Sequence, residues 1–143
     1  MTEVAFHFNA PDKLAYACRF ARKLLRSDRQ LVITGAQPLL DTLDGMLWSL
    51  APQDFVAHGG THSTPEVREA SPVLLLPDPR QARVRDVLLN LGAEVPAGFS
   101  SYRKVVEVVC ADDAEDREQA RGRWRHYAAR GYAIARHDLV LKP

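Results

Sequence analysis

Arg117, Arg121, Trp124 and Arg125 recur at intervals of three and four residues in the stretch REQARGRWRHYAARGY, Arg117 to Tyr132. At about 100° per residue, these four and Ala128 fall within roughly a quarter-turn of one helical face. Guanidinium groups and an indole would then stand side by side. Guanidinium holds a carboxylate through two parallel hydrogen bonds, and the arginine stems with a tryptophan ring make apolar walls. An acidic peptide carrying one aromatic side chain fits both halves of such a face. The same residue types also suit phosphates and stacked bases. The plainest reading is a solvated basic helix whose Trp124 and Tyr127 reach into the core. Nineteen Lys and Arg against eighteen Asp and Glu leave a net charge of +1. That balance argues against a nucleic-acid surface, which usually carries a larger basic excess.

The ends of this helix are legible. Asp112 is placed to cap it, with Glu115 three residues on, and Asp113 and Asp116 add negative charge at the positive end of the dipole. The arginines crowd the later turns, and Gly131 suits a C-terminal stop. The four acids could be taken for a metal cluster, but successive helical residues point in different directions and the dipole accounts for them.

Other candidate chemistry is thin. The chain has no serine in a nucleophile elbow, no cysteine set with a histidine and carboxamide, and no paired-histidine helix. His58 and His62 flank two glycines without a third ligand nearby, and two solvated histidines are the simpler reading. Cys18 and Cys110 sit in apolar patterns, which suggests two buried reduced thiols rather than a disulfide. Met46, Leu47, Trp48 and Leu50, followed by Phe55 and Val56, form a dense apolar cluster. It reads as core or as an exposed patch anchored by tryptophan.

The elements that must position these residues follow from periodicity. Val4 to Phe8 reads as a strand, with Asn9 as a cap and Pro11 near the first helical position. Leu14, Ala17, Cys18, Ala21, Leu24 and Leu25 keep a helical apolar stripe. Gln30 to Thr34 predicts a second strand and Pro38 to Leu50 a second helix. His58 to Pro72, rich in glycine, proline and small polar residues, predicts a loop. Val73 to Leu76 and Val87 to Leu91 predict strands, Gly92 to Tyr102 a connection, Lys104 to Cys110 a β-branched strand, and Tyr132 to Leu139 a peripheral one.

Strand and helix alternating with short connections imply parallel strands and right-handed crossovers. With 143 residues, 46% of them hydrophobic, the chain suits a single α/β domain over residues 1 to 143. The expected fold is Rossmann-like and three-layered, a mainly parallel central sheet with helices on both faces. The turns FNAPDK and TGAQPL lack the phosphate-binding glycines, so no cofactor is expected. No run approaches the roughly 20 apolar residues of a membrane span, and MTEVAFHFNAPDK carries no basic leader. A cytoplasmic protein is expected.

The runs VAFHF, WSLAPQDFVAH (Trp48 to His58), LLNLGAEVP (Leu88 to Pro96), KVVEVV and above all ARGRWRHYAARGY make the chain resemble the chi subunit family of bacterial DNA polymerase III, accessory proteins of the clamp loader. The likeness covers nearly the whole chain. It implies a non-enzymatic adaptor that binds the acidic C-terminal tail of single-stranded DNA-binding protein, which ends in proline and phenylalanine. Carried over by position, Arg121 would hold the terminal carboxylate or a nearby aspartate. Arg117 and Arg125 would attract the other acids, and Trp124, where the family has tyrosine, would wall the phenylalanine pocket, with Ala128 beside it. Cys110, where an aliphatic or acidic residue is expected, would lie at the pocket edge. The resemblance also implies that Trp48, Phe55 and Val56, with Leu47, meet the psi subunit of the clamp loader. Direct strong nucleic-acid binding is not expected, although a degenerate Rossmann-like domain binding nucleotide or single-stranded DNA is the other reading.

Overall fold

Asp12, in extended backbone, accepts from the amides of Leu14 and Ala15 and so starts the first helix two residues after the first strand ends. Strand and helix then alternate through the computed structural model, which describes residues 1–50, 53 and 55–141. The elements are β1 (Glu3–Ala10), α1 (Lys13–Leu24), β2 (Leu31–Thr34), α2 (Gln37–Trp48), β3 (His58–Gly60), α3 (Pro65–Ala70), β4 (Val73–Leu75), β5 (Val87–Asn90), β6 (Lys104–Cys110), α4 (Ala114–Ala129) and β7 (Ile134–Asp138). The strands form one sheet in the order β3-β4-β2-β5-β6-β1-β7. Every strand pairing in it is parallel, where the alternation predicted a mainly parallel sheet.

Direction of travel decides which face each helix covers. The chain moves from β1 to β2 and on to β3 in one sense along the sheet, then from β6 to β7 in the opposite sense. Right-handed crossovers therefore put α1 and α2 on one face and α4 on the other. Packing agrees with this. Leu31, Ile33, Val73, Leu75, Val87, Leu89, Val106 and Val108 join Ala17, Ala21, Leu43 and Leu47 in one buried cluster. Val4, Phe6 and Val109 face Ala120 and Tyr127 in another. The alternation of side chains along each strand makes this division. Paired on both sides and covered on both faces, β2, β4 and β5 are buried throughout, as their unbroken apolar runs require.

Two expectations give way. Asn9 does not cap α1. It lies inside β1 with φ 65°, where the β1–β6 register shifts, and its side-chain amide donates to Asp138 at 2.8 Å. Asparagine tolerates that left-handed backbone better than most residues. The expected loop from His58 to Pro72 contains β3 and α3. Three residues, HGG, carry no apolar alternation, and β3 exists because β4 offers it an edge. Thr64 caps α3 by accepting from the Val67 amide, with Pro65 in the first turn. The resembling run WSLAPQDFVAH includes Ala51, Pro52 and Asp54, which lie outside the described residues.

Candidate functional site

Asp113, one residue later than expected, caps α4 by accepting from the Asp116 amide at 3.0 Å. Asp116 is thereby free to tie the helix to the sheet. Its carboxylate accepts from the Cys110 amide at 2.8 Å and from Lys13 Nζ at 2.8 Å. Gly131, at φ +81°, follows the C-terminus of the helix as expected.

The inward face of α4 is anchored by a buried polar cluster that the periodicity did not announce. Arg123 Nε donates to Glu107 Oε1 at 2.9 Å, and its Nη1 donates to the Ala93 carbonyl. The Tyr127 hydroxyl donates to Glu107 Oε2 at 2.7 Å, and Asn90 Nδ2 donates to the same carboxylate. All four side chains are buried. Burial pushes the Glu107 carboxyl above its usual range, against the lowering pull of Arg123 and the hydrogen bonds. The Tyr127 hydroxyl is raised by burial and by the neighbouring carboxylate. A signal existed in the sequence: Glu107 is a lone acid in KVVEVVC, on the strand beside a helix of arginines.

The outward edge of α4 meets β1 and β7 in a groove of about 410 Å³. Phe6, Phe8, Val109, Ala120 and Trp124 form its apolar floor and wall, and Arg117, Arg121 and Arg136 stand around it. Residues of β1 alternate, so Phe6 and Phe8 face α4 while His7 turns to Tyr16 and Phe20 on α1. The Phe6 and Trp124 rings lie 5.0 Å apart at 56°, an arrangement favoured by their quadrupoles. The Arg136 guanidinium carbon lies 5.5 Å from the Phe8 ring centre and 5.9 Å from that of Trp124, within cation–π range of both. Arg121 Nη1 donates to Glu118 at 2.7 Å, both side chains being more than half exposed. The indole is partly buried and lines the groove together with Arg117, Arg121 and Arg136.

Of the residues expected at this site, Arg117, Arg121 and Trp124 are brought together. Arg125 and Ala128 are exposed on α4 but do not line the groove. Arg125 is rotated toward solvent, and Ala128 lies a turn beyond Trp124, where the groove has ended. Cys110 is half-buried and also does not line it. Its neighbour Val109 faces α4, so strand alternation sends the Cys110 side chain to the other face of the sheet. Phe6, Phe8, Val109 and Arg136 were missed because they come from strands distant in sequence. The alternation in VAFHF was the available hint.

The second candidate surface divides in the same way. Trp48 is 63% exposed and Phe55 37%, with ring centres 5.2 Å apart. Leu47 and Val56, expected in the interface, are fully buried beneath them. They belong to the core under the patch rather than to its surface, because their positions on α2 and before β3 point to the sheet. His58 is not solvated. Its side chain is 1% exposed, Nδ1 donates to the Val56 carbonyl, Nε2 lies 2.8 Å from Asp44 Oδ1, and its ring meets Trp48 at 5.4 Å. His62 is exposed. Among the described residues no group of three His, Cys, Asp or Glu is placed to hold a metal.

At the carboxyl end of the sheet, where parallel α/β folds bind nucleotides, α1 and α4 present capping carboxylates, Asp12 and Asp113. The Lys13–Asp116 pair, about 14% exposed, lies between them. These acids oppose a phosphate there.

Fold and groove together describe a parallel α/β binding module with an aromatic floor rimmed by guanidinium groups. Residues 1–135 match the family described as DNA polymerase III chi subunit, HolC. The chain is similar to the DNA polymerase III subunit chi of Pseudomonas aeruginosa, 32% identical over 97% of this chain and 98% of that protein. It is also similar to that of Haemophilus influenzae, 28% identical over 86% of this chain and 85% of that protein. The chain belongs to the DNA polymerase III chi subunit family, and by this kinship it is a non-catalytic accessory subunit. Among the described residues no helix is long and apolar enough to cross a membrane.

Proposed function

We propose that the chain is a one-domain cytoplasmic adaptor whose groove between α4, β1 and β7 receives the acidic, phenylalanine-ended tail of single-stranded DNA-binding protein. The observation that carries this is the convergence of Arg117, Arg121 and Arg136 around the floor of Phe6, Phe8, Val109 and Trp124. An apolar floor alone would accept any hydrophobic side chain, and a basic rim alone would accept any polyanion. Their overlap selects a ligand that is both. The terminal phenylalanine enters between Phe6, Phe8 and Trp124, while the preceding aspartates meet Arg117 and Arg121.

Trp48 and Phe55 form the second docking surface, for the psi subunit of the clamp loader. Support comes from their exposure as a tilted aromatic pair over buried His58, Leu47 and Val56. The two surfaces use different helices, α4 and α2, which cover opposite faces of the sheet. One chain can therefore hold both partners at once.

Calorimetric titration with an acidic peptide ending in Asp-Pro-Phe tests the first surface. Saturable binding that weakens as salt rises is expected, since the guanidinium rim is exposed and screened. Equal or tighter binding of a bare single-stranded oligonucleotide would reject the reading.

A further inference from the structure

Arg136 differs from the other cations of the groove in where it is held and what it already touches. It comes from β7, not α4, and its register neighbour on β1 is Phe6, so its side chain leaves the sheet on the groove side. Its guanidinium lies within cation–π range of the Phe8 and Trp124 rings of the apolar floor. Among the described residues no carboxylate lies within ion-pair distance of it. Arg121 is already paired with Glu118. Along α4, Arg121 is about 4.5 Å and Arg117 about 10.5 Å of helical rise from Trp124.

The ligand imposes its own geometry on these positions. In a chain-terminal phenylalanine the ring and the α-carboxylate belong to one residue, a few bonds apart. A ring seated on the floor must therefore leave its carboxylate beside whichever cation borders the floor most closely. Side-chain carboxylates earlier in the peptide lie farther out, toward Arg121 and Arg117. Cation–π attraction to two rings also biases the guanidinium toward the floor, so less rotamer freedom is lost when its donors engage a carboxylate in two parallel bonds.

We infer that Arg136 is the specificity-determining residue for a free terminal carboxylate, so that the groove reads the end of a polypeptide and discriminates against the same sequence in mid-chain. This rests on the proposed binding of an acidic tail. It separates the roles of the cations: Arg136 takes the terminus, and Arg121 and Arg117 take the preceding acids.

The test uses the full chain and two synthetic peptides of one acidic sequence ending in Asp-Pro-Phe, one with a free terminal carboxylate and one amidated. Loss of a charged hydrogen-bonding partner should weaken the amidated peptide on the wild type by about tenfold or more. In Arg136→Gln the two peptides should bind within about twofold of each other. In Arg121→Gln the full gap should persist, and Arg136→Lys should restore part of it. Thermal melts of each variant control for folding. A gap that survives in Arg136→Gln, or that disappears in Arg121→Gln instead, overturns the inference and leaves the tail-binding reading standing. No binding of the free-acid peptide to the wild type overturns both.

Discussion

Arg123 of α4 and Glu107 of β6 form an ion pair at 2.9 Å in which the two side chains are 2% and 0% exposed. The pair ties α4 to the sheet, and it also makes the wild-type fold dependent on a charge balance. Removing one partner of a buried pair costs about 3 to 5 kcal/mol, since the other charge is left without compensation. Arg123→Leu is expected to lose stability in that range at neutral pH by urea denaturation. The sign of its pH dependence follows from Glu107. Burial already raises that carboxyl, and loss of Arg123 removes the main opposing influence, so the folded-state value rises further above the unfolded one. Such a group contributes stability that is present below the unfolded-state value and lost as pH rises through the folded-state value. The deficit of Arg123→Leu should therefore shrink on acidification from pH 8 toward pH 5. A deficit independent of pH would mean that Glu107 does not titrate with folding.

Arg121 contacts both the groove and Glu118. Arg121→Ala should lose about 1.5 to 3 kcal/mol of affinity for an acidic tail peptide with little change in melting temperature. Glu118→Gln should bind that peptide slightly more tightly, because an exposed pair is worth about 1 kcal/mol or less and its acid competes with the ligand. Titrations at two salt concentrations check both. Unchanged affinity in Arg121→Ala would remove this residue from the site.

Trp124 is proposed to act through its ring, which lies against Phe6 and faces Arg136. Trp124→Tyr should retain most of the peptide affinity, since a phenol ring can still meet Phe6 and Arg136. Trp124→Ala should lose an aromatic pair worth about 0.5 to 1.5 kcal/mol together with the area that it buries against the ligand. Equal losses in the two variants would argue for the indole N–H rather than the ring.

Trp48 and Leu47 are neighbours on α2, one exposed and the other fully buried. Trp48→Ala should change stability by less than about 1 kcal/mol, whereas Leu47→Ala, which empties a fully buried site, should cost about 2 to 5 kcal/mol. Only Trp48→Ala should weaken capture of the psi subunit while leaving the tail peptide unaffected. Comparable destabilisation in both would return Trp48 to the core.

The sheet was legible because β2, β4, β5 and β6 are largely apolar runs and its first two helices keep a clean apolar stripe. What escaped was set by tertiary pairing. β3 is three residues with no pattern of their own, visible only beside β4. The arginine helix gave away Arg117, Arg121 and Trp124, because one helix face can be read from spacing alone. Arg125, Ala128 and Cys110 do not line the groove: spacing does not show where a groove ends along a helix, and Cys110, expected from the family likeness, alternates to the other face of β6. Arg136 and the two phenylalanines of β1 could not be joined to that helix until the β1–β7 register was known. Arg123 was hidden by its type, because a charged residue on a basic helix reads as solvated until a buried carboxylate is found opposite it.

Chemical-shift mapping of backbone and indole N–H groups with the acidic Asp-Pro-Phe peptide shows residue by residue where the tail docks. Perturbations are expected only in the groove, at Phe6, Phe8, Val109, Arg121, Trp124 and Arg136, with the Trp124 indole N–H among the largest and the Trp48 indole N–H unmoved. Perturbations centred on Trp48 and Phe55, or none at saturating peptide, would contradict docking in the groove.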